Sequence, residues 1–399
     1  MSRSTERRLM RRALIVNNEF GSDSASGRAA CALRDELIAR DVDVIMSHAM
    51  TDAAAIVASD TSLQVVVIDW DLEGDNKHAG ARNLLKRIRE RNADIPIFLS
   101  ATRSDASAIP MEAMQQADDF IWLLEDTPDF ISGRILAAID RYRLTVLPPM
   151  FGALARFTRV HEYSWHTPGH CGGIAFLKHP AGRAFFEFFG EELFRSDLSI
   201  SVGELGSLLD HSGPIGAGER YAAGVFGAHR TYYVTNGSST SNRVILMASV
   251  TRDQIALCDR NCHKSAEHAM TMSGAIPTYL VPVRNRLGLI GPIPQDRLTP
   301  AAIRKSIQQN PLVKKGIDPT PVHVIITNST YDGLCYNVKR VQELLGKSVD
   351  RLHFDEAWYG YARFNPIYKN RFAMFGAAED HPKDGPTVFA THSTHKLLA

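Results

Sequence analysis

Residues 387–396 read TVFATHSTHK. The run TVFA is apolar and β-prone, so we predict a buried strand at Thr387–Ala390 and a turn at its end that holds serine, histidine and lysine side chains. An ammonium among apolar residues is costly unless it is paired or neutralised. Lys396 could avoid this cost by forming an imine with an aldehyde cofactor, with Ser393 and His395 beside it. The alternative is a surface lysine in an ordinary turn, and residues upstream must decide between the two.

Composition limits the classes of function open to this chain. Its 399 residues suggest about two or three domains. The hydrophobic fraction of 44% and charged fraction of 22% are typical of a soluble globular protein. A formal net charge of +1 argues against a nucleic-acid or membrane-surface partner. The five cysteines lack paired spacing, which predicts neither disulfides nor a zinc site and favours a reducing cytoplasm. No apolar run approaches the roughly 20 residues of a membrane helix.

The first third of the chain alternates short apolar runs with helical faces. This pattern predicts a doubly wound parallel sheet of the flavodoxin or receiver kind. Its strands are predicted at Ala13–Val16, Val42–Met46, Val65–Ile68, Ile95–Leu99 and Phe120–Leu124. Asp69 ends the third strand, where a receiver carries its phospho-acceptor. The acidic pair and the lysine that such a site needs are absent, since Asn17 and Asn18 follow the first strand and Glu125 follows the fifth. We therefore predict a structural or assembly domain.

A boundary follows at Pro148-Pro149, which interrupts helical continuity. We predict an N-terminal extension at 1–12, a wing domain at 13–145, a linker at 146–190 and a large domain at 191–399. Within the linker, His166 and His170 have the spacing of a helical metal pair. Pro168-Gly169 between them is incompatible with a regular helix, so no metal site is predicted.

The large domain places polar residues after successive predicted strands. Tyr232–Thr235 is predicted as a strand, and Asn236–Asn242 leads from it into a helix. Strand, Gly/Ser turn and helix start form either a phosphate cradle or an ordinary helix cap. Further strands, at Ile255–Asp259 and Leu352–Phe354, end near His263 and at Asp355. In an open α/β sheet such strand ends converge on one crevice.

These residue types match the needs of one cofactor. Pyridoxal phosphate requires an anion cradle, a carboxylate that keeps the ring nitrogen protonated, a flat group over the ring and an imine-forming lysine. In this chain the anion cradle would be formed by Ser238 and Ser239, the flat group by His263, the carboxylate by Asp355 and the imine by Lys396. Taken alone, each carboxylate or histidine is more simply interpreted as a structural residue. Their joint placement favours the cofactor.

Nearly the whole chain resembles the prokaryotic ornithine/lysine/arginine decarboxylases, pyridoxal-phosphate enzymes of the aspartate-aminotransferase fold (fold type I). The motifs that carry this resemblance are Trp165–His170, Arg195–Ser199, Asp259–Ser265, Thr330–Gly333, Phe354–Trp358 and Thr391–Lys396. The resemblance implies that Lys396 carries the cofactor, Asp355 pairs with the pyridine nitrogen and His263 stacks on the ring. It implies phosphate contacts from Ser238, Ser239, Ser393 and His395, and places Trp358 beside the phenolic oxygen. The receiver-like wing would join catalytic homodimers into a decamer.

The resemblance also predicts the reaction. It implies decarboxylation of a basic amino acid, which consumes a proton and fits acid resistance or polyamine metabolism. Arg351–Tyr368 and Trp122–Ile131 look most like the acid-inducible arginine decarboxylases, so arginine is the first choice and lysine or ornithine the alternative. Because family members continue well beyond Lys396, we expect a fragment that is incomplete at its C-terminus. Two other classes stay open: an aminotransferase on the same fold, and a non-catalytic assembly subunit.

Overall fold

The computed structural model describes residues 11–72, 78–103, 109–160, 167–199, 202–381 and 384–398. The chain divides into two compact units, Met1–Arg156 and Phe157–Ala399. None of the helices in these described ranges is long and apolar enough to cross a membrane.

The first unit is a doubly wound parallel sheet. Its elements are β1 (Arg11–Val16), α1 (Ala25–Ala39), β2 (Val42–Ser47), α2 (Met50–Ser59), β3 (Val65–Asp69), α3 (Ala79–Arg91), β4 (Ile97–Ser100), α4 (Met111–Gln116), β5 (Asp119–Ile121) and α5 (Pro128–Thr145). The strands are all parallel, in the order β2-β1-β3-β4-β5. Apolar cores lie on both faces of the sheet, which is why its strands read as continuous apolar runs. The predicted fold is confirmed, with strand limits shifted by a few residues.

Asp69 lies at the carboxyl end of β3. Its Oδ2 accepts a hydrogen bond from the Asn17 amide at 2.7 Å, and its Oδ1 accepts one from the Asp71 backbone at 3.1 Å. Burial raises the pKa of Asp69 to about 6. Both carboxylate oxygens are therefore engaged by neutral donors within the unit.

The second unit is also built on parallel strands. Its elements, beginning with a helix that crosses the division between units, are α6 (Pro149–Val160), α7 (Pro180–Phe189), α8 (Glu191–Arg195), α9 (Gly213–Phe226), α10 (Gly237–Ser249), β6 (Ile255–Asp259), α11 (Lys264–Ser273), β7 (Ile276–Leu280), α12 (Pro300–Gln308), β8 (Pro321–Thr327), α13 (Val338–Leu345), β9 (Arg351–Asp355), β10 (Thr387–Thr391) and α14 (Thr394–Leu397). The strand order is β10-β9-β8-β6-β7. All neighbouring strands run parallel, so their carboxyl ends share one edge.

The prediction of a strand at Tyr232–Thr235 was wrong. These residues adopt no regular structure, and Gly237 begins the next helix after a turn. The reason is visible at Tyr233, whose backbone amide donates to the carboxylate of Glu219 at 2.9 Å instead of to a neighbouring strand. β7 was not predicted.

The region expected to be a linker contains helices α6 and α7. His170, considered and rejected as a metal ligand, contacts the Asp197 carboxylate through Nε2 at 3.2 Å, and its Nδ1 accepts the Gly173 amide at 3.1 Å. Trp165 and His166 lie outside the described residues. The predicted end of the wing domain at residue 145 and the predicted end of the linker at residue 190 stay predictions.

Candidate active site

The first part of the site is the N-terminus of α10. Gly237 has a φ of 76°, a left-handed conformation that glycine tolerates, and it turns the chain into the helix. Ser238 and Ser239 follow in the first turn, and both are half-buried. The hydroxyl of Ser393 donates to that of Ser238 at 2.9 Å, so the structure brings these two residues together. Backbone N–H groups, hydroxyls and the positive helix end are a suitable environment for an anion.

A hydrogen-bonded chain joins three elements beside this helix start. Asn242, one turn into α10 from Ser238, donates through Nδ2 to Asp355 Oδ2 at 2.8 Å and to Ser265 Oγ at 3.0 Å. Ser265 in turn contacts His263: the hydroxyl lies 2.8 Å from Nδ1, and the backbone amide donates to Nδ1 at 3.2 Å. Nδ1 therefore acts as an acceptor, which places the ring proton on Nε2. The exposed ring of His263 is fixed as the N-cap of α11.

Asp355 is the buried charge of the site. Burial raises its pKa, while the hydrogen bond from the Asn242 amide, the backbone at Ala357 and the charge of Lys396 act in the opposite direction. Among the residues that the structure describes, no donor of ordinary geometry reaches its Oδ1. A buried carboxylate oxygen without a partner calls for a donor, and a cation would serve best.

Lys396 and His395 lie in the short helix α14, and both side chains are exposed. The expectation that the lysine ammonium lies among apolar residues was therefore wrong. The strand that precedes α14, β10, is adjacent to β9, and Thr391 is in register with Asp355. The lysine lies near enough to Asp355 to favour the ionised carboxylate.

Trp358 follows β9 by three residues. Its indole N–H donates to the Ser329 carbonyl at 3.2 Å, and its ring lies 4.4 Å from that of Tyr331, centroid to centroid. These contacts join the loops after β8 and β9 at the edge that carries Asp355. Trp358 is half-buried and remains a candidate contact for a ring placed there.

Together these residues fit pyridoxal phosphate. Oδ1 of Asp355 lacks the donor that a protonated pyridine nitrogen would supply, the start of α10 suits a phosphate, and Lys396 is a primary amine for the aldehyde. No group of acidic, histidine and cysteine side chains in the described ranges could hold a metal ion.

Two residues of this network were not assigned from the sequence. Asn242 is four residues after Ser238, a spacing that puts both on one helix face and could have indicated it. Ser265 is the last residue of the motif Asp259–Ser265, but no function was predicted for it.

Comparisons with known proteins identify the family of this chain. Residues 148–399 match the family described as Orn/Lys/Arg decarboxylase, major domain, and residues 25–142 match its N-terminal domain. The chain is 48% identical over 389 residues to a biodegradative arginine decarboxylase of Escherichia coli K12, covering 97% of this chain and 51% of that protein. It is 41% identical over 391 residues to lysine decarboxylase LdcA of Pseudomonas aeruginosa, with 97% and 52% covered.

A solved structure is similar as well. Lysine decarboxylase A from Pseudomonas aeruginosa superposes with a TM-score of 0.79 at 40% identity, over 97% of this chain and 52% of that one. The chain thus spans about half the length of the curated relatives that it matches.

Proposed function

Because this chain belongs to the Orn/Lys/Arg decarboxylase family, we propose that it uses pyridoxal phosphate to remove the α-carboxyl group of a basic amino acid. The observation that carries the proposal is the buried Asp355, whose Oδ2 accepts from Asn242 and whose Oδ1 meets no donor of ordinary geometry among the described residues, at the edge where Ser238, His263 and Lys396 also lie. When bound, the cofactor supplies an aldehyde for covalent attachment and a ring that accepts electrons.

Each candidate site residue has a defined task in this proposal. Lys396 would hold the cofactor covalently through its amine. Asp355 would keep the ring nitrogen protonated, because its Oδ1 faces a low-dielectric site in which a cation is the favoured partner. His263 would cover one face of the ring, and its contact with Ser265 fixes the orientation of the imidazole. The phosphate would be oriented by Ser238, Ser239, Ser393 and His395, and Trp358 would lie beside the phenolic oxygen.

We propose arginine as the substrate. Identity to the arginine decarboxylase is 48%, against 41% for LdcA, and both comparisons cover 97% of this chain. This difference in sequence identity supports arginine as the first candidate substrate and lysine as the second. The product would be agmatine, and each turnover would consume one proton.

The substrate is tested by competition. The purified protein is incubated with cofactor and equimolar arginine, lysine and ornithine at mildly acid pH, and CO₂ and the amine products are quantified. We expect agmatine to dominate. A preference for cadaverine or putrescine would reject arginine, and a keto acid without CO₂ would identify an aminotransferase. The protein with Lys396→Ala serves as the control for background decarboxylation.

We further propose that the unit containing β1–β5 is an assembly module. Residues 25–142 match the N-terminal domain of the family, and both Asp69 oxygens accept hydrogen bonds from neutral groups of the same unit, which argues against a phospho-acceptor role. The expected decamer, assembled from homodimers, is tested by mass photometry. Monomers alone at micromolar concentration would contradict it.

A further inference from the structure

Glu356 is a second carboxylate at the candidate site, and the proposed function assigns it no task. It is completely buried and directly follows Asp355. Glu356 is the first residue after β9, and its side chain contacts a different set of groups from that of Asp355, which Asn242 binds. Its Oε1 accepts hydrogen bonds from Asn328 Nδ2 at 2.7 Å and from the Ala373 amide at 2.9 Å.

The remaining oxygen of Glu356 faces a histidine. Its Oε2 lies 3.0 Å from Nε2 of His392, whose side chain is largely buried. The imidazole stacks on Phe372, with ring centroids 5.1 Å apart and 22° between the planes, and it also contacts Phe226 at 5.3 Å. One rotamer of His392 is therefore fixed both by packing and by its contact with the carboxylate.

This pair lies where the lysine-bearing segment leaves the sheet. His392 directly follows β10 and directly precedes Ser393, which begins α14 as its N-cap. The backbone of Glu356 donates to the Thr391 carbonyl at 3.0 Å, and that of Ser393 donates to the Ala357 carbonyl at 2.9 Å. Two backbone bonds and one side-chain contact thus join the ends of β9 and β10.

We propose that the Glu356–His392 pair is a positioning device that sets the orientation of α14, and with it Ser393 and Lys396, toward the cofactor site. The assignment of Ser393 and Lys396 as cofactor contacts rests on the proposed function. The contact between Glu356 and His392 and the two backbone bonds beside it, from which the orientation of α14 is inferred, do not depend on that assignment.

The loss of this contact should act locally. A buried carboxylate deprived of one partner is costly, because its desolvation is no longer compensated. Asn328 and Ala373 continue to bind Oε1, so β8 and β9 keep their link to Glu356. The segment released by a change at 392 is the one that follows it, residues 393–397, whose helix is a single turn.

The test uses three substitutions of His392 and a matched control. His392→Leu removes the polar contact, His392→Asn is polar but too short to reach the carboxylate, and His392→Gln retains an N–H donor of similar reach. His268→Leu makes the same chemical change at an exposed histidine of α11. The two measurements are hydrogen exchange of the peptide covering 393–398 without cofactor, and the yield of pyridoxyl-lysine at 396 after borohydride reduction with cofactor.

We expect His392→Leu and His392→Asn to exchange the 393–398 peptide about tenfold faster than wild type, the effect of one lost charge-assisted hydrogen bond. The α11 peptide should be unchanged, and the yield of pyridoxyl-lysine should fall. His392→Gln should return both quantities to within about threefold of wild type. His268→Leu should match wild type throughout.

Each result decides between the two proposals. Wild-type exchange at 393–398 in both His392→Leu and His392→Asn would overturn the positioning role, and if the leucine variant does not fold, the asparagine variant decides. Faster exchange throughout the second unit would also overturn it, since the pair would then support the whole fold. A wild type that shows no pyridoxyl-lysine would reject the cofactor role of Lys396 while exchange still tests the pair.

Discussion

Two histidines inside the second sheet should make the protein sensitive to acid. His323 of β8 and His353 of β9 are fully buried, with ring centroids 5.6 Å apart. His353 contacts the Thr391 hydroxyl at 2.8 Å, whereas neither ring nitrogen of His323 has a partner among the described residues. Burial, assisted by the charge of Arg351, lowers the pKa of His323 to about 3, and burial also lowers that of His353.

The direction of the effect follows from proton uptake. The unfolded chain binds a proton at each histidine below an ordinary pKa of about 6.5, and the folded chain does not. The contribution of neutral His323 to the free energy of unfolding is therefore fully present above pH 6.5, and it is lost as the pH falls from 6.5 toward 3. Each pH unit in this window is worth about 1.4 kcal/mol per histidine, so His323 alone removes about 2 kcal/mol by pH 5.

The assay compares His323→Leu with wild type by urea unfolding at pH 7.5 and pH 5. The difference in unfolding free energy between the two proteins should change by about 2 kcal/mol in favour of the leucine variant as the pH falls. His268→Leu, at an exposed position, should show no such change. If wild type and His323→Leu lose stability in parallel, His323 is not held neutral and the argument is refuted.

Three further outcomes are expected. Asp355→Asn should keep pyridoxyl-lysine at 396 after borohydride reduction but lose decarboxylation by about a hundredfold or more, because an amide does not hold the ring nitrogen cationic; near-normal turnover would contradict this. Lys396→Ala should bind the cofactor without a covalent link, and label on another lysine in the wild type would exclude the assignment. Acetyl phosphate should leave the intact mass unchanged, since Asn17 and the Asp71 amide engage Asp69; a stoichiometric phosphoryl adduct at Asp69 would disprove it.

The sequence predicted the ends of the central strands well because β3 and β6 are buried along their whole length, whereas β10, predicted as a buried strand, is an edge strand that is only partly buried. An apolar run bounded by polar residues marks such a strand, as at Ile255–Asp259, where the predicted limits match β6. The polar residue at each carboxyl end then falls at one edge of a parallel sheet. For this reason Asp355 and His263 could be predicted to lie at the same edge of the sheet.

What the sequence did not predict depends on partners distant along the chain. The β-prone run at Tyr232–Thr235 lacks ladder pairing because Tyr233 bonds to Glu219 in α9. Lys396 lies exposed in α14, which the local sequence pattern did not predict. The bond between Asn242 and Asp355 joins residues far apart along the sequence, so each looked like an ordinary polar residue.

His263 combines two demands that a mutational scan could separate. As the N-cap of α11 its Nδ1 accepts the Ser265 amide, a task that asparagine, aspartate, serine or threonine can also perform. Those four substitutions lack an aromatic ring, however, so none can cover a cofactor. Scored for cellular abundance, position 263 should accept small polar residues; scored for growth that depends on decarboxylation, it should reject them. If the abundance scan accepts a substitution that the growth scan rejects, the residue is identified as functional, which neither scan shows alone.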